Sequence, residues 1–149
     1  MRSLCSAIVT IFIFISFSTS NAMDHEETLL LVSKDPNTWQ IDTSGPTAQL
    51  SFNQQQGTFN CSGQRLEPEQ QYALIQKDDS CPRGRGFILS VTSSTANGTL
   101  LLAGKWSNWR GKIWLVLADD VRGGAADEQL DQLISWQPKR YLFESRPLL

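Results

Sequence analysis

Histidine is almost absent: the chain has one, His25, in 149 residues. A Ser-His-Asp or Cys-His nucleophile needs a base positioned by the fold. His25 lies in a short acidic stretch, Asp24 to Glu27, where nothing in the pattern fixes it. An excess of basic residues is also missing. Thirteen Lys and Arg stand against 15 Asp and Glu, a formal charge of −2. A nucleic-acid partner would need a basic face to displace phosphate counterions, so that class of function is not expected. No glycine-rich phosphate loop occurs either. Pro82-Arg-Gly-Arg-Gly86 is basic and loop-like but opens no helix.

Long apolar runs are confined to one place. Arg2 is followed by an apolar run from Leu4 to Phe17, and Ser20-Asn-Ala22 puts small residues where a signal peptidase cuts. The run is shorter than the ~20 residues that span a bilayer and is interrupted by Ser6, Thr10 and Ser16. Residues 1–22 therefore read as a secretory signal peptide, with an uncleaved anchor as the alternative. Residues 23–149 read as a single secreted or cell-surface domain without a transmembrane span. Removal of Arg2 with the leader takes the 13 basic residues to 12 against 15 acidic, a formal charge of −3.

Cysteine is scarce as well: Cys5 in the leader, then Cys61 and Cys81. An even pair in an exported chain reads as a disulfide. Closing that loop would stabilise the fold by ~3 kcal/mol in the chain-entropy model. Two cysteines and one His cannot complete a zinc tetrahedron, and no cofactor is expected. Four loop carboxylates, Asp78, Asp79, Asp119 and Asp120, are the candidates for a calcium site or for the acid pair of a hydrolase. They lack the ordered spacing of an EF-hand. Asn60-Cys-Ser62 and Asn97-Gly-Thr99 are N-glycosylation sequons, Asn97 on the more exposed type of turn.

What is present is strand pattern. Ala48-Gln-Leu50-Ser-Phe52 alternates with a period of two, which places its apolar residues on one face. Comparable segments run from Thr28, Thr58, Tyr72, Phe87, Thr99 and Arg140, separated by turn residues; Trp39-Gln-Ile41 also reads as extended. Lys112-Ile-Trp-Leu-Val-Leu117 is apolar on both faces and reads as a central strand. Residues 125–134 give the one helical window, with Ala126, Leu130, Leu133 and Ile134 on one side. The expectation is an all-β fold, a small antiparallel sandwich of immunoglobulin-like or jelly-roll-like form, with one short helix near the C-terminus.

Leu66-Glu-Pro68-Glu-Gln-Gln-Tyr72 resembles the tyrosine corner of fibronectin-type-III and immunoglobulin-like sandwiches. The resemblance implies structural roles for Leu66, Pro68 and Tyr72, the Tyr hydroxyl bonding back onto the corner's backbone. Lys112–Leu117 and the Trp136-x-Pro-x-x-Tyr-Leu-Phe-Glu144 tail resemble segments of exported microbial proteins, archaeal ones among them. That resemblance implies architecture and no chemistry. Trp106, Trp109 and Arg110, with Arg83 and Arg85, are the candidate binding residues, since exposed rings among polar groups stack on sugars or anchor protein partners. The alternative for the two tryptophans is a lid over an open end of the fold. Trp39, Trp114 and Trp136 read as core or its margin. The function expected is a non-enzymatic module binding an extracellular carbohydrate or protein surface. The alternatives are a carboxylate-dependent hydrolase and a structural envelope protein.

Overall fold

A computed structural model describes residues 25–77, 86–123 and 129–148. Its strands are β1 (Glu26–Val32), β2 (Thr47–Asn53), β3 (Thr58–Gln64), β4 (Gln71–Lys77), β5 (Gly86–Ser93), β6 (Leu100–Lys105), β7 (Lys112–Leu117), β8 (Val121–Gly123), β9 (Gln129–Leu133) and β10 (Leu142–Glu144). Two 3₁₀ turns, Ala118–Asp120 and Pro138–Arg140, are the helical pieces among the described residues. All pairings are antiparallel, in the order β6-β3-β2-β1-β10-β7-β4-β5-β9-β8. The sheet curls until β5 lies beside β6: Ser90 Oγ reaches the Ala103 carbonyl at 3.4 Å, and Phe87 packs on Trp106 at 4.7 Å. The result is nearly a closed barrel. β9 and β8 continue the sheet from one end of β5.

Alternation decides what fills the interior. One row runs through the register partners Leu29, Leu50, Cys61 and Leu102, and another through Tyr72 and Leu117, all buried. Leu74, Leu115 and Leu142 make a third buried row. β7 is buried on both faces and sits between β10 and β4, as its doubly apolar sequence requires.

The helix expected over 125–134 is not found where the chain is described. Residues 129–133 form β9, which pairs with Gly86 and Phe87 of β5 on one side and with β8 on the other. An isolated helix of this length is marginal in water. The free edge of β5 offers unpaired backbone groups instead.

The corner before β4 is a hydrogen-bonded assembly. The Tyr72 hydroxyl accepts the Glu67 N–H at 3.3 Å, and Leu66 packs in the core. Burial pushes the Tyr72 phenol up from its ordinary value. Gly98, at φ 70°, lets the next hairpin approach closely: a Cβ there would lie 2.3 Å from the Leu66 carbonyl oxygen, whose own N–H donates to the Gly98 carbonyl at 2.9 Å. Glu67 then receives a two-pronged Arg140 guanidinium, Nε to Oε1 at 2.7 Å and Nη2 to Oε2 at 2.5 Å. Arg140 also donates to Gln137 Oε1, Gln137 Nε2 donates to both Asp120 oxygens, and the Tyr141 hydroxyl donates to Asp120 Oδ2 at 2.6 Å. Leu66-to-Tyr72 and the 137–141 segment are thereby fastened to each other.

Candidate functional site

The β6–β7 loop closes one end of the barrel. Trp109 is 5 % exposed and lies against Phe52 at 4.6 Å and Phe59 at 5.4 Å, two rings from neighbouring strands. Its indole N–H donates to the Trp106 carbonyl at 3.1 Å. Beneath it the buried Gln76 side chain holds the loop at three points. It accepts from Trp106 Nε1 at 3.1 Å and from the Arg110 N–H at 3.3 Å, and donates to the Asn108 carbonyl at 3.0 Å. Trp109 therefore offers no face to a ligand. Trp106 is half-buried against Phe87, and Arg110 is exposed. Arg83 and Arg85 lie outside the described residues, as do Asp78, Asp79 and Cys81.

Cys61 is a free thiol at the centre of the interior. Burial pushes its pKa up to about 12 from an ordinary 9.0. The neutral thiol is the form the fold favours. Its contribution to stability is therefore fully present below pH 9.0 and is lost as pH rises towards about 12. Iodoacetamide at pH 8 should leave Cys61 unmodified in the native protein and alkylate it once denaturant is added. Mass spectrometry reads both states, and rapid native alkylation at Cys61 would refute the buried placement.

Among the described residues no group of three or more His, Cys, Asp and Glu gathers as a metal site. Asp119 is exposed, whereas Asp120 is buried with both oxygens engaged by Gln137 and one also by Tyr141. Asn60 and Asn97 are both exposed, Asn60 in β3 and Asn97 at the β5–β6 turn. No helix among the described residues is long and apolar enough to cross a membrane.

A different aromatic group lies on the outside of the sheet. Phe143 of β10 and Trp114 of β7 are register partners, their rings 5.4 Å apart. Trp39 stands edge-on to Phe143 at 5.1 Å, and Trp136 approaches Phe143 at 6.1 Å and Trp114 at 5.8 Å. Phe143 and Trp114 are buried beneath, while Trp39 and Trp136 are each 51 % exposed. The Lys77 ammonium lies 4.8 Å from the Trp114 ring centre, a cation–π contact on the same group.

Trp39 reaches this place through an unusual backbone. Asp35 Oδ1 accepts the N–H groups of Asn37 and Thr38 at 2.8 and 3.1 Å, which holds its carboxyl below the usual range. The Trp39 N–H donates to the Asp35 carbonyl at 2.8 Å, and the Asp35 N–H to the Gln40 carbonyl at 2.9 Å. This closed loop sets Trp39 at φ 58°. A bulky residue in the left-handed region costs on the order of 1–3 kcal/mol and persists only where its surroundings impose it. Next to the loop is a recess of about 310 Å³ lined by Lys34, Asp35, Asp42 and Lys139 among others.

Glu144 follows Phe143. Burial raises its carboxyl pKa, opposed by Lys34, Trp114 and Lys112, and its Oε2 is buried without a hydrogen-bond partner among the described residues. Lys34 Nζ donates to its backbone carbonyl at 3.1 Å.

Reading Trp39-Gln-Ile41 as extended hid this arrangement, because the alternation rule has no term for a left-handed residue. The sequence signal that was available is the Asp-Pro-Asn-Thr run before Trp39, a turn composition that can aim the next side chain away from the sheet. Compared with known proteins, the chain matches no family model, no curated protein and no solved structure.

Proposed function

We propose that the protein is an exported, non-enzymatic binding module whose contact surface is the outer aromatic patch of Trp39 and Trp136. The observation that carries this reading is a pair of half-exposed indoles seated on a buried aromatic base, one of them in a left-handed backbone. Large apolar side chains kept at the surface, at a cost in backbone strain, mark recognition sites. The β6–β7 loop, with Trp109 beneath Trp106, serves as the lid. The apolar leader from Leu4 to Phe17 supports export. A flattened barrel, with β6-β3-β2-β1 facing β10-β7-β4-β5 as two layers, is the sandwich form of this fold.

A Trp39→Ala, Trp136→Ala double variant should keep a cooperative unfolding transition and lose retardation on glycan-containing affinity gels that slow the wild type. Equal retardation of both proteins would sink the reading. The raised Glu144 carboxyl beside the same patch favours a second reading, a carboxylate-dependent hydrolase with Glu144 as its acid. Release of reducing ends from those glycans by the wild type and not by Glu144→Gln would select it.

A further inference from the structure

The geometry of the outer patch narrows what it takes. Trp39 and Trp136 lie 5.1 and 6.1 Å from the Phe143 ring centre, so their own centres are no more than 11.2 Å apart. Their planes make angles of 88° and 59° with the Phe143 plane. The difference, 29°, is the least angle that can separate the two indole planes. They cannot be coplanar.

A crystalline polysaccharide surface presents its sugar rings in parallel planes, and an aromatic platform that binds it by stacking must be flat. Two indoles tilted against each other instead match the faces of successive or alternate pyranose rings along one chain free to twist. Such rings are about 5 Å long, so the spacing covers one to two of them. The apolar C–H faces of the sugars meet the indoles, and their hydroxyls need partners that both donate and accept. The exposed amides of Asn37 and Gln40 flank Trp39 in the chain and are of that kind.

The size of the patch points the same way. Trp39, Ile41, Ile134 and Trp136, each about half exposed, present together roughly 400 Å² of side chain. A stable protein–protein interface takes about 800 Å² from each partner. The patch is too small to hold a second copy of this chain by itself and large enough for a short run of sugars.

We infer that Trp39 and Trp136 form a tilted two-indole cradle for a single soluble glycan chain. This rests on the binding reading above and adds the class and form of the ligand. Isothermal titration with cellohexaose, xylohexaose, mannohexaose and chitohexaose tests it, alongside co-sedimentation with crystalline cellulose and crystalline chitin and sedimentation velocity of the protein alone. The expected result is one site per chain for at least one hexasaccharide, with binding weakened at least tenfold by Trp39→Ala and by Trp136→Ala, and no co-sedimentation with the crystalline powders. Near-ultraviolet circular dichroism of each variant verifies that it is folded, and Trp→Phe at each position, which keeps a smaller stacking face, should recover part of the affinity.

Patch-dependent binding to crystalline powders and to none of the hexasaccharides would overturn the single-chain inference while leaving the patch as the contact surface. So would a concentration-dependent dimer that the double variant abolishes, with a second copy as the occupant. Absence of glycan binding in every form, with no dimer, would overturn the inference and the binding reading together.

Discussion

Trp109→Ala is expected to destabilise the protein by about 3–5 kcal/mol, the range for removing a large aromatic side chain from a packed core. Trp109 is the plug between Phe52 and Phe59 at the end of the barrel, and its indole N–H holds the loop through the Trp106 carbonyl. Truncation leaves a cavity that three strands would have to collapse to fill. Gln76 would keep its bonds to Trp106 and Arg110, so the loop should stay attached while the end of the barrel loosens. Urea denaturation checks this, with the midpoint falling and the slope unchanged for a two-state protein. A loss below 1 kcal/mol would mean that Trp109 is not the plug. Trp39→Ala and Trp136→Ala, which remove half-exposed rings, should cost far less.

The second large effect is expected at Asp120. Its carboxylate is buried and takes the Tyr141 hydroxyl at 2.6 Å and the Gln137 amide at 3.1 and 3.0 Å. Hydrogen bonds to a charged group contribute about 1.5–3 kcal/mol each, and orphaning buried donors adds to the loss. Asp120→Ala should therefore destabilise by about 3 kcal/mol. Tyr141 retains a longer bond to the Ser135 carbonyl at 3.3 Å, which limits the damage. The effect should spread: Gln137 also positions Arg140, which clamps Glu67 at the Tyr72 corner. A double-mutant cycle of Asp120→Ala with Glu67→Ala should show coupling, whereas independent sites would add within about 0.5 kcal/mol. Strict additivity would refute the connected network.

Much of the strand layout was legible because its signal is local. Ala48, Leu50 and Phe52 alternate, and all three are interior. Lys112–Leu117 is apolar on both faces because its strand has neighbours on both sides and cover on both faces. The Leu66-to-Tyr72 spacing singled out a stretch whose Tyr hydroxyl contacts the Glu67 N–H.

β9 was not legible, because its Leu130 and Leu133 fit a helical period and the pairing that makes it a strand comes from Gly86 and Phe87, more than 40 residues away. The site was hidden for a related reason. Trp106 and Trp109 lie in a polar loop and look exposed, but Phe52, Phe59 and Phe87 supply the rings that cover them. Trp39 and Trp136 look like core. Both flank Phe143 on the outside of the sheet, a meeting of segments about 100 residues apart that no local pattern encodes.

The most direct test of the outer patch as the contact surface is a ligand-protected oxidation footprint. Limited N-bromosuccinimide treatment of the native protein, read by peptide mass spectrometry, should modify Trp39 and Trp136 first and spare Trp109 and Trp114. A hexasaccharide that binds should then shield Trp39 and Trp136 while leaving the reactivity of Trp106 unchanged. Protection of Trp106, with Trp39 and Trp136 still oxidised at the unliganded rate, would contradict the assignment and return the contact surface to the β6–β7 loop.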